Sequence, residues 1–119
     1  MLYTTITIGG NEYKARLTAK ACVDLEKKLG TNPLNVFMDI ATKDVPVLPK
    51  LETIITILHV SLQAFQHGIT IDKTYELYDK FIDEGHALTD LIPIIIEIFQ
   101  VSGFLPSDEE VEETTEKNV

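Results

Sequence analysis

Near its end the chain carries LIPIIIEIFQVSGF, residues 91–104, and then turns abruptly into LPSDEEVEETTEKNV. A helix over the first stretch is apolar around most of its circumference, and such a helix has to be enclosed by protein. Leu91, Ile92, Ile95, Ile98 and Phe99 form one broad face, while Ile94, Ile96 and Val101 lie elsewhere around the axis. A chain of 119 residues with 45% hydrophobic content builds one core and leaves little room for a second. Apolar surface left over on residues 91–104 is therefore expected to meet a partner, because large contiguous apolar patches are uncommon on monomers. Ile94, Ile98, Val101 and Phe104 are the candidate partner-binding residues.

The segment after Phe104 holds six of the nineteen acidic residues and no aromatic one. Such a composition cannot bury enough apolar area to offset the entropy of ordering. The reading is one domain over residues 1–104 and an acidic, flexible, disordered tail over residues 105–119.

At the other end, LYTTITI alternates apolar and polar with a period of two, Gly9-Gly10-Asn11 tolerates positive φ, and YKARL follows. Together these predict a β-hairpin. A two-residue turn at Gly9-Gly10 pairs Ile6 with Tyr13, and a four-residue loop pairs Ile8 with Tyr13. In either register Leu2, Ile6, Ile8, Tyr13 and Leu17 share a face that something must cover. Two strands alone are marginal and expose their edges, so the hairpin either packs on a helix or pairs with a neighbouring subunit. Leu2, Tyr3, Ile6, Ile8 and Tyr13 are the candidate self-association residues.

Between these ends the apolar spacing is helical. Thr18 is placed to cap a helix that ends at Leu29, with Cys22, Leu25 and Leu29 on one side and Gly30 just beyond. Asn32 and Pro33 open a second helix, with Leu34, Phe37, Met38 and Ala41 inward, and residues 45–49 form a loop. A long third helix runs from about Lys50 to Gln66 with Leu51, Ile54, Ile55, Leu58, Leu62 and Phe65 in one stripe and Ile57, Val60 and Ala64 on the far side. Two apolar stripes mean that this helix is either central to the core or shared with another subunit, and the central place is the expected one. Asp72 is the expected cap of a fourth helix burying Tyr75, Leu77, Tyr78, Phe81 and Ile82. Asp90 is the expected cap of the fifth, running to about Ser102, with Pro93 in its first turn. The fold class is mainly α (α+β): an N-terminal hairpin, then a compact bundle of about five helices.

Charge narrows the function classes. Residues 1–50 carry seven Lys or Arg against five Asp or Glu, whereas residues 51–119 carry three against fourteen. The acidic half argues against nucleic acid, which demands clustered basic residues. No stretch has the length of uninterrupted apolar sequence that spans a bilayer, so no membrane partner is expected. A single cysteine and the absence of a secretory signal pattern point to a reducing cytoplasm.

Catalytic constellations are missing as well. His59 and His67 stand eight apart, too far for a metal-binding pair on one helix, and His86 is isolated. Cys22 falls on an apolar stripe with no histidine beside it in sequence. Asp83-Glu84 and Glu109-Glu110 sit at a helix end and in the tail, where carboxylates are solvated. Gly9-Gly10 lacks the spacing of a phosphate loop, and no serine stands in a phosphopantetheine attachment motif. The expectation is a protein that is not an enzyme and has no cofactor or metal.

The stretch YKARLTAKACVDLEKKLGTNPL, preceded by ITIGGNE, resembles the N-terminal signature of the tail assembly chaperones of long-tailed bacteriophages and prophages of Gram-positive bacteria. In layout too the chain is similar to that family, with a hairpin, a helix ending in LEKKLG and a small helical domain over roughly residues 3–104. The resemblance implies a siphovirus virion-assembly factor that coats the tape measure protein and keeps its apolar helices soluble. It also implies a longer frameshifted form of the same chain as a further partner, and action in the host cytoplasm with no place in the mature virion; a homo-oligomer is expected from the hairpin's exposed edges. The alternative is a small acidic phage-encoded regulatory or inhibitory protein acting through protein–protein contacts.

Overall fold

Gly9 and Gly10 both adopt positive φ, 62° and 77°. That is the geometry of the two-residue turn whose twist matches antiparallel strands. It joins β1 (Thr4–Ile8) to β2 (Asn11–Ala15) and selects the first of the two registers, with Ile8 opposite Asn11 and Ile6 opposite Tyr13. The computed structural model describes residues 2–42 and 48–106. Among the described residues five helices follow the hairpin, and the architecture is α+β and mainly helical.

Strand alternation sorts the hairpin into two faces. Thr4, Ile6, Ile8 and Ala15 are buried beneath it and Tyr13 half-buried, while Thr5, Thr7, Glu12 and Lys14 face outward. Leu2 departs from its expected place: it precedes β1 and is 70% exposed.

Helix α1 (Ala19–Leu29) starts where Thr18 accepts a bond from the Ala21 N–H and ends where Gly30 takes a left-handed φ of 72°. Both ends were legible because each end has its own chemistry, a hydroxyl acceptor for free N–H groups and a residue without Cβ penalty for the reversal. Helix α2 (Leu34–Thr42) begins one residue later than Pro33, with Asn32 Oδ1 accepting from the Leu34 N–H at 3.0 Å. Its inward residue is Val36, backed by half-buried Leu34 and Phe37, and Met38 is 49% exposed instead of inward. The side chain of Ala41 and residues 45–47 of the expected loop lie outside the described residues.

Helix α3 (Leu51–Leu62) is the hub: α1, α4 (Ile71–Asp83), α5 (Leu91–Val101) and β2 all pack on it. Ile54, Ile55, Ile57, Leu58, Val60 and Leu62 are all buried, so both apolar stripes are used inside one chain. Burying each such side chain is worth about 2 kcal/mol. The polar residues on this helix are tied internally, Ser61 Oγ to the Ile57 carbonyl at 2.7 Å and the His59 ring to the Ile69 carbonyl at 2.9 Å. Leu51, at its start, stays 39% exposed.

The long third helix stops at Leu62, not Gln66. Beyond Leu62 the chain turns, and the Gln66 side chain bonds the backbone of Lys14 instead of continuing the helix. Helix α4 is capped by Thr70, whose hydroxyl accepts from the Lys73 N–H at 3.0 Å, while Asp72 sits in the first turn. Its inner face is Thr74, Leu77 and Phe81 with Tyr78 and Ile82 beside them, and Tyr75 turns outward at 37% exposure. A single 3-10 turn (Leu88–Asp90) leads into α5, and Asp90 accepts from the Ala87 N–H at 2.8 Å, capping that turn instead of α5.

Candidate functional site

The apolar helix raised by the sequence is α5, packed against β1 and α3. Leu91, Ile95, Ile98 and Phe99 are buried, and Ile92, Ile94, Ile96 and Val101 are partly covered. The chain thus encloses one face of α5 and leaves a strip at its flank. Ile92, Pro93, Ile96, Glu97 and Gln100 line an open groove of about 550 Å³ along that strip. Gln100 also borders a second cleft of about 450 Å³, formed with Leu2, Val101, Gly103 and Phe104 among others. Gln100 thus lines both clefts, one along α5 and one at the chain just beyond it.

The end of α5 is tied to the hairpin by polar contacts. Ser102 Oγ accepts from the Leu17 N–H at 2.8 Å, and Arg16 Nη1 donates to the carbonyls of Leu2 at 2.9 Å and Val101 at 3.4 Å. The guanidinium thereby meets one of the free carbonyls at a helix C-terminus, where positive charge is favourable. Arg16 Nε finds no acceptor among the described residues. These contacts hold Leu2 against the mouth of the second cleft.

Of the candidate partner-binding residues, Ile98 is fully buried in the protein's own core and cannot reach a partner without unfolding. Ile94 and Phe104 are half-buried and pack against that core, and Val101 is half-covered beside the second cleft. Pro93 and Ile96 line the open strip together with an edge of Ile92, which also packs on the core as the sequence reading expected. Spacing carried the signal: positions 92, 96 and 100 recur every four residues, along the flank beside the buried 91, 95 and 98. Of the self-association candidates, Ile6 and Ile8 are buried under α4 and α5, Tyr13 is half-buried, and Leu2 and Tyr3 are exposed. Helices from the same chain cover the face that a neighbouring subunit could have covered.

Tyr3 belongs to a separate surface cluster. Its ring meets Phe65 edge-on with centroids 5.5 Å apart, and Lys14 Nζ lies 4.8 Å from the Tyr3 ring centre. Cys22 shares a small cleft with Pro33, Leu34, Phe99 and Phe104, and burial pushes its thiol pKa up, with Glu26 adding in the same direction. His86 stacks on Phe81 at 4.3 Å and lies 3.9 Å from Asp90. Among the described residues no group of three or more His, Cys, Asp or Glu is placed to hold a metal ion. No helix among them is long and apolar enough to cross a membrane.

With this geometry in hand, a family profile described as a family of unknown function, DUF6096, matches residues 2–119. The chain belongs to DUF6096. No curated protein and no solved structure matches it. The match takes in the hairpin, all five helices and the acidic end, so the α5 strip and the hairpin edge are features of a chain that this DUF6096 profile spans as one unit.

Proposed function

We propose that the protein is a tail assembly chaperone that binds a phage tape measure protein and keeps its apolar helices soluble during tail assembly. The observation that supports this best is the open groove on α5 lined by Ile92, Pro93 and Ile96, which shares Gln100 with the cleft at Leu2, Val101 and Phe104. An amphipathic helix laid in such a groove contributes side chains at helical spacing and covers surface that the chain's own core leaves open. The layout of hairpin, LEKKLG helix and helical bundle is that of the family which residues 3–104 resemble. In this reading the protein acts in the host cytoplasm, is absent from the mature virion, and meets a longer frameshifted form of itself on the same cargo. The net charge of −9 keeps the loaded complex dispersed.

The test is co-expression with a tape measure protein from the neighbouring genes. The expected outcome is soluble tape measure protein in a recoverable complex, lost when Ile96→Asp places a charge in the groove. Insoluble tape measure protein with no complex recovered would overturn the proposal.

A further inference from the structure

The two edges of the hairpin are treated differently by the rest of the chain. In the observed register Ile8, Ile6 and Thr4 bond across to β2, which leaves the backbone N–H and C=O groups of Glu12, Lys14 and Arg16 pointing away from β1 on one edge and those of Tyr3, Thr5 and Thr7 on the other. The β2 edge is closed at Lys14 and Arg16. Gln66 accepts from the Lys14 N–H at 3.2 Å and donates to the Lys14 carbonyl at 2.9 Å, so its amide imitates one residue of a third strand, and the Arg16 N–H reaches the Ser61 carbonyl at 3.1 Å. The β1 edge is open: among the described residues nothing bonds the outward backbone groups of Tyr3, Thr5 or Thr7, and all three residues are exposed.

That open edge lacks the devices that keep strands apart. Residues 2–8 contain no charge, no proline and no glycine, and β1 lies straight against β2 without a bulge. We infer that the β1 edge is a dimerisation site for a second copy of this chain, the two β1 strands pairing antiparallel about a two-fold axis at Thr5. Three observations select a second copy as the occupant. First, the strand is its own complement: with Thr5 on the axis, Thr5 exchanges both bonds with its counterpart and Tyr3 pairs with Thr7 of the second copy, so every outward group is used. Second, in a chain of net charge −9 this uncharged segment is where two copies approach with least repulsion. Third, because Gln66 and Ser61 close the opposite edge, the pairing ends at two copies and cannot run on into a fibre.

The product is a continuous four-stranded sheet, two strands from each copy, with both helical layers on the same side. Three or more strands over an apolar face is the condition for a sheet to be stable in its own right. Since α5 packs beneath β1, the α5 helices of the two copies lie on the same side of that sheet. The dimer stands independently of the tape measure reading.

The test is the mass of the intact protein in solution together with backbone amide exchange. Analytical ultracentrifugation is expected to give a dimer, with Thr5 and Thr7 amides protected alongside the internal Ile6 amide. Thr5→Pro removes only an outward N–H, which a strand edge tolerates, and is expected to give a folded monomer. Thr5→Lys sets like charges opposite each other on the axis and is expected to weaken the dimer by about tenfold or more, keeping the test open if the proline variant fails to fold. A protein that stays monomeric at high concentration overturns the inference. So does a dimer whose Thr5 and Thr7 amides exchange freely, or one that Thr5→Lys leaves unchanged. A monomer would leave the tape measure test unaffected, and failure of that test would leave the dimer standing.

Discussion

Cys22 illustrates how far a single residue can be read from its neighbours. Its position on the apolar side of α1 predicted a thiol shielded from chemistry, and the fold supplies two physical causes for that, burial and the adjacent Glu26 carboxylate, both raising its pKa. The folded thiol therefore ionises at higher pH than the unfolded one. The stability linked to it is intact below the unfolded thiol's pKa and declines as pH rises through the folded value. Because the thiolate is the nucleophile, iodoacetamide is expected to modify native Cys22 more slowly than the urea-unfolded chain at mildly alkaline pH, the gap narrowing as pH climbs further. A native rate equal to or above the unfolded rate would contradict this assignment. Caps were legible at this scale where one residue decides them, as at Thr18 and Gly30. They were missed where two candidates compete: Thr70 outdid Asp72 and Asp90 turned back to Ala87, because backbone direction chooses between neighbouring acceptors and the residue types do not.

At the scale of elements, the informative departure is the end of α3. Apolar spacing continues through Phe65, yet the helix stops at Leu62 and Gln66 becomes a side-chain surrogate for a strand beside β2. Gln66 also donates to the Leu62 carbonyl at 2.8 Å, so the same amide closes the helix end and the sheet edge. Gln66→Ala is expected to destabilise the fold by about 1 kcal/mol, as replacing such bonds by water generally does. Urea unfolding measures the loss, and faster exchange of the Lys14 amide locates it; unchanged Lys14 protection would show that the edge is held by something else. Helix periodicity was sufficient to identify five helices and the central one, since α3 is apolar on two faces. It could not say which flank of α5 is enclosed, because Ile96 and Ile98 are equally apolar and only the positions of β1 and α3 distinguish them.

For the whole molecule, the core ends slightly later than composition suggested. Leu105 packs against the core and its N–H reaches the Phe99 carbonyl at 3.3 Å, so the folded body includes residues the sequence reading assigned to the tail. Residues 107–119, all but one of whose charged side chains are acidic, lie outside the described residues. Truncation after Pro106 is expected to leave the melting temperature within about 2 °C, since so polar a segment has little apolar area to contribute. A fall several times larger would mean that the acidic end docks on the body. Deletion of the hairpin, residues 1–17, has no such tolerance in prospect, because Arg16 and Leu17 join it to the end of α5.

Local chemistry was enough to specify the hairpin and its possible registers, the number and order of the helices, the centrality of α3 and the acidity of the end, because turns, caps and apolar period act over a few residues. Tertiary structure alone decided that the chain's own helices take up Ile6, Ile8 and Ile98, that the open strip on α5 is Ile92, Pro93 and Ile96, and that one hairpin edge is sealed while the other is free. Those outcomes depend on which elements meet in space. Contacts such as Gln66 with Lys14 or Arg16 with Val101 join residues far apart in sequence, and no local pattern encodes their meeting.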